Sequence, residues 1–385
     1  MTGLFPRNEG QALTTGPLNL VWCPDSGLLQ LSSEYEQAEM YGINYGYRSS
    51  LNSSMVAHLT RKALMLERYA SVKSGDVVID IGSNDATFLS CFQQKCVRAI
   101  GIDPVAQKFT TEYDRLGIKL ITDFFSSELA AQLALEKSVK LITSIAMFYD
   151  LPNPHDFVSG IKLILANDGI WHFEQSYMPS MLRMNSYDTI CHEHLEYYSF
   201  GVVYRLLEAH GLKVLDVQMN AINGGSFAVT AAHQHSEYIP NFPIIKWLLR
   251  QEDAMSLDTP RPYREFEDRI YRHRSDLKSL IHELKASNKR VLGYGASTKG
   301  NVILQFCNLD SNMIDCIAEV NPEKYGCYTP GTNIPIVSEA DAKAMNPDYM
   351  LVLPWHFRDS IIRREEEYLA NGGKLIFPLP EIEIV

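Results

Sequence analysis

The stretch VVIDIGSNDATFLSCF (residues 77–92) decides the fold, because it runs from an apolar strand through a turn into a helix. The strand carries Asp80, the turn contains Gly82, and the helix begins near Asp85. Glycine at such a turn lets the backbone approach a ligand closely. Ligands of open α/β sheets bind beyond the carboxyl ends of the strands. We therefore predict that this turn forms part of a ligand site.

Strand and helix patterns alternate along the chain after this point. They predict strands in DVVIDIG, RAIGIDP, IKLIT, VKLITSIAMF and IWHFEQ, and helices in ATFLSCFQQK, VAQKFTTEYDRLG, SSELAAQL and PHDFVSGIKLILANDG, the last ending at its glycine. A further helix, GVVYRLLEAHG, precedes an antiparallel hairpin formed by KVLDVQM and SFAVTAA. This alternation indicates a parallel, doubly wound α/β sheet with the hairpin at its edge.

The chain divides into four parts. Residues 1–50 are irregular and rich in Gly, Pro, Asn and Ser, and residues 51–240 contain the α/β domain. Residues 241–285 are charged and predict a helical linker, and residues 286–385 predict a second, Rossmann-like α/β unit. The length of 385 residues is sufficient for two such domains.

The composition argues against several classes of protein. The net charge is -11 and no Lys- or Arg-rich stripe offsets it, so we expect no nucleic-acid partner. The seven cysteines include no C-x-x-C pair, which argues against a disulfide framework. We expect neither a signal sequence nor a membrane span, and therefore a cytoplasmic protein without a membrane partner.

The first turn is suited to a cationic ligand without phosphate. A dinucleotide-binding loop has the pattern G-x-G-x-x-G, whereas this turn has one glycine among acidic residues. S-adenosylmethionine carries a sulfonium, an amino group and a ribose, and no phosphate. Asp103 ends the next strand, where it can accept the ribose hydroxyls. Asp123 and Phe124 end the third strand, where they can bind the adenine amino group and stack on the ring.

We therefore predict S-adenosylmethionine as the cofactor. The alternative is that the acidic residues only cap helix termini. One acid could do so, but three at the ends of successive strands favour an adenosyl ligand. The predicted cofactor-binding residues are Asp80, Gly82, Ser83, Asn84, Asp85, Asp103, Pro104, Asp123 and Phe124.

A histidine-rich stretch, SYDTICHEHLEYYSFG (residues 186–201), follows the fifth predicted strand. A metal site is one interpretation, but metalloprotease ligation needs histidines four apart. His192 and His194 are two apart, which places them on one face of an extended segment. A polar structural loop is the second interpretation. The third is a general base at the cofactor edge, oriented by Glu193 or Glu196, because a neutral imidazole suits that role. We expect no metal ligands here.

A second glycine loop, VLGYGASTKGN (residues 291–301), follows another strand. It matches neither the dinucleotide pattern nor a Walker loop. A nicotinamide site with Glu319 as its ribose acid is one interpretation. A diphosphate site made by Lys299 and amides at a helix start is another, and Lys299 could also be a solvated surface residue. Trp355 and His356, in LPWHFRD, are candidates for the same cleft.

Four blocks in this order resemble the sugar C-methyltransferases of deoxysugar biosynthesis, which methylate nucleotide-linked 4-keto-6-deoxyhexoses. They are YGINYGYRSSLNSSM (41–55), DIGSNDATFL (80–89), YDTICHEHLEYYS (187–199) and GYGASTKGN (293–301). The resemblance covers nearly the whole chain, and the HEH and GYGA…KGN blocks are its specific parts. It implies an N-terminal zinc-binding segment, a class I S-adenosylmethionine-dependent methyltransferase core and a C-terminal Rossmann-like domain.

The chain departs from this family in three places. The family's zinc segment has two C-x-x-C pairs, but here only Cys23 precedes Cys91, and Ser26 replaces the second cysteine. Structural zinc needs four ligands, so we expect residues 1–50 to be a degenerate segment without zinc. Cys191 stands where the family often has tyrosine, and Asp150 where it has histidine. Both positions are implicated near the sugar, so they bear on the substrate and on the methylated position.

The resemblance implies His194 as the base and Glu193 as its partner, and we count His192 among the catalytic candidates. In the expected reaction a ketone at C4 acidifies the proton at C3, His194 removes it, and the enolate accepts the methyl group. A sugar O-methyltransferase with the same cofactor and base is an alternative, and a nicotinamide-dependent oxidoreductase is another. The expected partner is a nucleotide-linked sugar. The substrate-binding candidates are Tyr45 and Tyr47, which could instead form a packed aromatic turn, and Cys191, Lys299 and Trp355.

Overall fold

The computed structural model describes residues 3–8, 11, 13–36, 40–41 and 47–385. Its strands are β1 (Leu20–Trp22), β2 (Leu29–Leu31), β3 (Val77–Ile81), β4 (Arg98–Ile102), β5 (Lys119–Ile121), β6 (Val139–Ile145), β7 (Leu165–Ser176), β8 (Glu196–Tyr197), β9 (Leu212–Asn220), β10 (Ser226–His233), β11 (Val291–Tyr294), β12 (Ile317–Glu319), β13 (Ile336–Ser338), β14 (Tyr349–Val352), β15 (Lys374–Phe377) and β16 (Glu383–Ile384). The α-helices are Ser53–Tyr69, Thr110–Leu116, Ser127–Gln132, Pro154–Ile164, Met178–Arg183, Phe200–Ala209, Phe242–Met255, Arg261–Ala286, Thr298–Phe306, Glu339–Ala344, Arg358–Arg364 and Glu366–Ala370. Short 3₁₀ segments are Ser49–Leu51, Leu89–Lys95, Pro104–Phe109, Phe148–Asp150, Tyr187–Thr189, Ile222–Gly224, Pro322–Lys324 and Trp355–Phe357.

The central sheet has the strand order β5-β4-β3-β6-β7-β10-β9. Strands β3 to β7 are parallel, and β10 runs antiparallel to both β7 and β9. Strand β3 is buried along its whole length, as expected for a parallel strand covered on both faces. The predicted doubly wound sheet and its edge hairpin are confirmed. The order reverses between β3 and β6, and ligands of such sheets bind at this switch point.

The helix Ser53–Tyr69 covers one face of the central sheet. The side chain of Asn52 caps it by accepting hydrogen bonds from two amides of its first turn. Leu59, Ala63 and Leu66, at helical spacing, pack into the apolar cluster on that face of the sheet. Because the residues just before this helix run along the carboxyl edge of the sheet, the helix anchors that segment beside the ligand site.

The second sheet has the order β13-β12-β11-β14-β15-β16 and is parallel except for β16. It matches the predicted Rossmann-like unit. The predicted linker is different, because its two helices belong to different cores. Phe242–Met255 buries Ile245 and Leu248 against the central sheet. Arg261–Ala286 packs its apolar face with the second sheet. Within the described residues, no helix is both long and apolar enough to cross a membrane.

The prediction that PHDFVSGIKLILANDG forms one helix is wrong at its carboxyl end. The helix stops at Ile164, and Leu165 begins β7 and pairs with Val139. Gly169 lies inside that strand, where an added Cβ would be 2.6 Å from the carbonyl oxygen of Val139. The glycine therefore allows β6 and β7 to approach, and does not end a helix. The predicted helix in ATFLSCFQQK is a 3₁₀ segment.

The N-terminal part is not irregular throughout, because β1, β2 and β8 form a small antiparallel sheet. The turn between β1 and β2 contains Cys23 and Ser26. It is closed by backbone hydrogen bonds, from Gly27 to the Cys23 carbonyl at 2.8 Å and from Cys23 to the Leu28 carbonyl at 2.9 Å. Strand β8 lies inside the histidine-rich stretch, so the N-terminal hairpin is bound directly to that stretch.

Candidate active site

The first glycine turn lies at the carboxyl end of β3. Asp80 is buried, and its Oδ1 accepts a hydrogen bond from the Thr143 hydroxyl at 2.6 Å. Gly82 has a φ of +74°, and an added Cβ would lie 3.0 Å from the Met147 side chain. The turn therefore requires glycine both for its backbone conformation and for space.

Asp103 joins the first two loops of this edge. Its Oδ2 accepts from the backbone N–H of Asn84 at 2.8 Å, and its Oδ1 accepts from that of Val105 at 2.7 Å. Burial raises the pKa of Asp103, and these backbone hydrogen bonds act against that rise. Each carboxylate oxygen has a second lone pair, so the predicted ribose contact remains compatible with both bonds. Pro104 follows it as the first residue of a 3₁₀ segment.

Three predicted cofactor ligands use their side chains to hold the loop. The hydroxyl of Ser83 accepts from Tyr113 at 2.7 Å. The side-chain oxygen of Asn84 accepts from the amide of Ser49 at 3.0 Å, and Asp85 accepts from the amide of residue 50 at 3.0 Å. Asn84 and Asp85 thus bind the segment before the first helix, and Ser83 binds the helix Thr110–Leu116, which leaves the loop backbone to contact a ligand.

Asp123 and Phe124 lie at the end of β5, as predicted. The carboxylate of Asp123 accepts from the amide of Phe124 at 2.8 Å, so it caps its own turn. The Phe124 ring is 40% exposed and lies 6.5 Å from the ring of Tyr41 in an edge-on arrangement. The ring has an open face on which a planar base can stack.

These residues fit S-adenosylmethionine. Burial is the main cause that raises the pKa of Asp80 to about 7, and a cationic ligand would favour its charged form. The space beside Gly82 is one that a side chain would fill. The residues that would hold the cofactor are Asp80 and Gly82 at the methionine end, Asp103 at the ribose and Phe124 at the adenine.

His194 is partly buried in the loop after β7. Its Nδ1 lies 2.9 Å from the carbonyl oxygen of Thr189, which can only accept a hydrogen bond. The proton is therefore on Nδ1, and Nε2 is the basic nitrogen. Burial, followed by the charge of Lys299, lowers the pKa of His194 to about 4. The ring packs edge-on against Tyr149, with centroids 4.4 Å apart.

The other predicted catalytic residues are placed differently. The orienting partner of His194 is a backbone carbonyl, so the prediction that Glu193 or Glu196 orients it is wrong. Glu196 accepts a hydrogen bond from the hydroxyl of Tyr198, and burial raises the pKa of Glu196 to about 8. Glu193 hydrogen-bonds to the thiol of Cys191.

His192 faces away from the base. Its Nε2 lies 3.3 Å from the carbonyl oxygen of Gly16, and its ring packs edge-on against Tyr35 at 4.6 Å. The two histidines were expected on one face, but residues 192 and 193 form a turn that points them in different directions. His192 therefore joins the loop to the N-terminal segment, and its predicted catalytic role is not supported by this geometry.

Of the predicted sugar-binding residues, Tyr45 lies outside the described part of the chain. The ring of Tyr47 is 44% exposed, and its carbonyl accepts from the side-chain amide of Asn84 at 3.1 Å, which places it over the cofactor loop. Cys191 is buried, and burial raises its pKa well above the ordinary value. A thiol in this state is neutral and contributes shape to the site.

The second domain contributes its own charged and polar groups. Lys299, at the start of the helix Thr298–Phe306, lies close enough to His194, Asp188 and His356 to change their pKa values. Trp355 is buried, and its indole N–H donates to Oδ2 of Asp188 at 2.8 Å. Burial and Lys299 together lower the pKa of His356 to about 3, so this imidazole is neutral.

The second glycine loop is less suited to a nicotinamide cofactor. Glu319, the proposed ribose acid, accepts from the backbone amides of Ala296 at 2.8 Å, Val320 at 2.7 Å and Asn321 at 2.9 Å. Gly295 has a φ of +82°, and an added Cβ would lie 2.8 Å from the ring of Pro354. The glycine is therefore needed for packing between β11 and β14.

Asp150, noted in the sequence as a departure from the family, is partly buried near Glu193 and Glu196, and burial raises its pKa well above the ordinary value, which favours the neutral carboxylic acid. Two further site residues were not singled out in the sequence. Asp188 lies in the block next to the histidines, so its position was a usable signal. Glu174 was visible as an acid within an apolar parallel strand.

Among the residues that the structure describes, no three His, Cys, Asp or Glu side chains are grouped closely enough to hold a metal ion.

Comparisons with known proteins identify both domains. A family model for a methyltransferase domain matches residues 55–217, and one for a C-methyltransferase C-terminal domain matches residues 221–380. The C-methyltransferase NovU of Streptomyces niveus is 33% identical over 383 residues, which cover 99% of this chain and 90% of the relative.

Solved structures with low identity also match about half of this chain. A SAM-dependent methyltransferase from Aquifex aeolicus is 16% identical, with a TM-score of 0.36, and the match covers 51% of this chain and 98% of that one. The 1,6-didemethyltoxoflavin-N1-methyltransferase of Burkholderia thailandensis, solved with S-adenosylhomocysteine, is 13% identical, with a TM-score of 0.37. That match covers 54% of this chain and 94% of the other.

The resemblance found in the sequence is thus confirmed by a relative that matches almost the entire chain. The strand order and the methyltransferase-domain match together give a class I methyltransferase fold. The cofactor prediction is confirmed with it, and the oxidoreductase alternative is excluded. The chain belongs to the family of S-adenosylmethionine-dependent C-methyltransferases.

Proposed function

We propose that this enzyme methylates carbon C3 of a nucleotide-linked 4-ketosugar through an enolate, with His194 as the general base. The observation that carries the proposal is the hydrogen bond from Nδ1 of His194 to the Thr189 carbonyl. It fixes the tautomer in which Nε2 can accept a proton from carbon. His194 lies near enough to Lys299 of the second domain to be affected by its charge.

The positive charge of Lys299 supports both halves of this proposal. It disfavours a protonated His194, which keeps the base ready at neutral pH. It also favours negative charge in the cleft, which is carried by a diphosphate and develops on an enolate oxygen. An anionic substrate beside Lys299 offsets the lysine charge, so it moves the pKa of His194 back toward the range in which a base works best.

Asp150 is suited to donate a hydrogen bond to the ketone oxygen. Burial, together with the charges of Glu193 and Glu196, raises the pKa of its carboxyl group well above the ordinary value, which favours the neutral form. Its Oδ1 makes no hydrogen bond to any described residue. A neutral carboxylic acid can donate to an oxygen on which charge develops. Together, Asp150 and His194 would polarise the ketone and remove the proton from the neighbouring carbon.

The cofactor supplies an electrophilic methyl group. Asp103 and the turn at Gly82 would hold it. Buried aromatic residues around the histidine loop, such as Tyr149 and Tyr198, limit the access of water. The enolate carbon is therefore protected from reprotonation by water until it is methylated.

The test uses two histidine variants of the same loop. His194→Asn keeps a hydrogen-bond donor but cannot accept the proton, so turnover should fall roughly 100- to 10,000-fold while cofactor affinity stays unchanged. His192→Asn is the matched control and should keep turnover within a few-fold.

Exchange of the substrate C–H in deuterated water separates C- from O-methylation. Wild-type enzyme should wash out the proton at C3 and the His194 variant should not. Mass spectrometry of products from a panel of nucleotide ketosugars identifies the substrate. The proposal is wrong if His194→Asn retains both turnover and exchange, or if the methyl group is found on oxygen.

A further inference from the structure

Contacts to the base, to the long helix Arg261–Ala286 and to the second domain come together at the turn Tyr187–Thr189. Thr189 gives its carbonyl oxygen to Nδ1 of His194 at 2.9 Å. The residue before it, Asp188, is fully buried and accepts from the Trp355 indole at 2.8 Å. The second domain is thus connected to the base through two residues: Trp355 contacts Asp188, and the adjacent Thr189 contacts His194.

We propose that Trp355 is a positioning residue, which holds Asp188 so that the neighbouring carbonyl of Thr189 fixes the tautomer of His194. The second domain then takes part in catalysis through the backbone of this turn, in addition to any contact with substrate. This inference rests on the role proposed for His194, and it goes beyond it by assigning the control of that residue to the second domain.

The carbonyl of Thr189 needs such support, because a three-residue 3₁₀ turn is weakly held by its own hydrogen bonds. Tyr187, at the first position, donates a hydrogen bond to Nδ1 of His273 at 3.2 Å, and lies 3.4 Å from the thiol of Cys307. His273 in turn binds the carbonyl of Pro378 through Nε2 at 2.5 Å. Two consecutive residues of the turn are therefore held by elements that pack with the second sheet.

The Trp355 contact is directional as well as apolar. An indole N–H only donates, and Oδ2 of Asp188 only accepts while the carboxyl group is charged. Burial raises the pKa of Asp188, and the charge of nearby Lys299 and the indole hydrogen bond act against that rise and so favour the charged form. A directional hydrogen bond between Trp355 and Asp188 restrains the backbone at Asp188, and so restrains the carbonyl of the next residue, Thr189.

The first variant is Trp355→Phe, which keeps an aromatic ring and removes the N–H donor. Asp188→Ala removes the acceptor, and Asp188→Asn keeps an acceptor oxygen and should restore the contact. With Trp355→Phe and Asp188→Ala, kcat should fall roughly 10- to 100-fold, as for loss of a group that orients a functional histidine. KM and cofactor affinity should stay within a few-fold. Trp247→Phe, at an exposed tryptophan of the helix Phe242–Met255, is the matched control and should change nothing.

The decisive readout does not depend on activity. The tautomer of His194 is measured by heteronuclear NMR on protein with isotope-labelled histidine, and its signals are assigned from their loss in His194→Asn. Wild type should show a single tautomer with the proton on Nδ1. Trp355→Phe and Asp188→Ala should show a mixture, and Asp188→Asn should resemble wild type.

An unchanged tautomer in both the Trp355→Phe and Asp188→Ala proteins overturns the inference, even if their activity falls, since the tryptophan then acts elsewhere. A mixed tautomer with full activity supports the positioning role and instead refutes His194 as the base. A mixed tautomer with reduced kcat supports both. Thermal unfolding of each variant identifies those that do not fold. If one of Trp355→Phe and Asp188→Ala does not fold, the inference is judged on the other.

Discussion

Lys299 of the second domain lies close enough to His194 of the central domain for its charge to act on the imidazole, and burial together with this charge lowers the pKa of His194 to about 4. The base and the cation belong to different domains, so their relationship exists only in the assembled chain. It has a measurable consequence for the pH dependence of the reaction.

Lys299→Met should move the acidic limb of the kcat/KM profile to higher pH. The base must be unprotonated, and a histidine with a lowered pKa stays unprotonated until the pH falls below about 5. Without the lysine charge the pKa of His194 rises, so protonation and loss of activity begin at higher pH. Lys246→Met, at an exposed lysine, is the control. If the limb stays in place in Lys299→Met, then the lysine does not act on the base.

The central fold was accessible from the sequence because long apolar strands alternate with helices. Features that depend on two or three residues were not. Strands β1, β2 and β8 are too short to show a periodicity, so their sheet was missed. Gly169 was interpreted as the end of a helix, because the sequence does not show that a carbonyl oxygen of the neighbouring strand β6 leaves no room for a Cβ at this position.

The candidate site shows the same division. The loop at Gly82, Asp103 and His194 could be predicted, because they lie at strand ends or in a dense cluster of histidines. The orienting group of His194 could not, because it is a backbone carbonyl and every residue has one. The different directions of His192 and His194 follow from a turn at residues 192 and 193 that spacing alone does not predict.

Asp103→Asn should weaken both the loop and the cofactor site. An amide retains one acceptor oxygen, so one of the two backbone hydrogen bonds to Asn84 and Val105 is lost. Loss of a charged acceptor at the ribose should cost about 1.5–3 kcal/mol of cofactor affinity, measured by calorimetry. Asp76→Asn is a matched control, because Asp76 also caps a turn, at 2.7 Å from the amide of Lys73, but lies before β3. Equal effects of the two variants on affinity would place the cofactor elsewhere.

Ala86→Gly should lower the free energy of unfolding much less than the same substitution at an alanine within a helix, such as Ala130. Ala86 is fully buried with a φ of +62°, a conformation that costs an L-residue about 1–2 kcal/mol. Glycine relieves this cost, which offsets the lost methyl burial and the greater entropy of the unfolded chain. Ala130→Gly, at an equally buried helical position, has no such compensation. Urea unfolding should therefore show a free energy of unfolding higher by about 1–2 kcal/mol for Ala86→Gly than for Ala130→Gly. Equal losses would contradict the strained conformation.

A buried ion pair holds the helix Ser53–Tyr69 to the central sheet. Lys62 Nζ lies 2.7 Å from Oε2 of Glu174, and His58 Nε2 lies 2.7 Å from Oε1. Lys62 also lies 3.1 Å from the ring nitrogen Nε2 of His172, and all of these side chains are buried. Burial acts to raise the pKa of Glu174, but the hydrogen bond from His58 and the charge of Lys62 outweigh it and lower the pKa.

Lys62→Met should therefore destabilise the protein in a pH-dependent way. It leaves a buried carboxylate without its cation, a change that costs about 3–5 kcal/mol in comparable buried pairs. Burial then raises the folded-state pKa of Glu174 above its unfolded value, so the loss relative to wild type grows as pH rises from about 5 to about 8. At the lower pH the carboxyl group takes up a proton and much of the cost disappears. The double variant Lys62→Met/Glu174→Met removes both charges and should recover most of the free energy of unfolding at the higher pH. Urea titrations of the single and double variants at both pH values measure these free energies of unfolding. An equal loss of stability at the two pH values would show that Lys62 and Glu174 are not electrostatically coupled. The absence of recovery in the double variant would show the same.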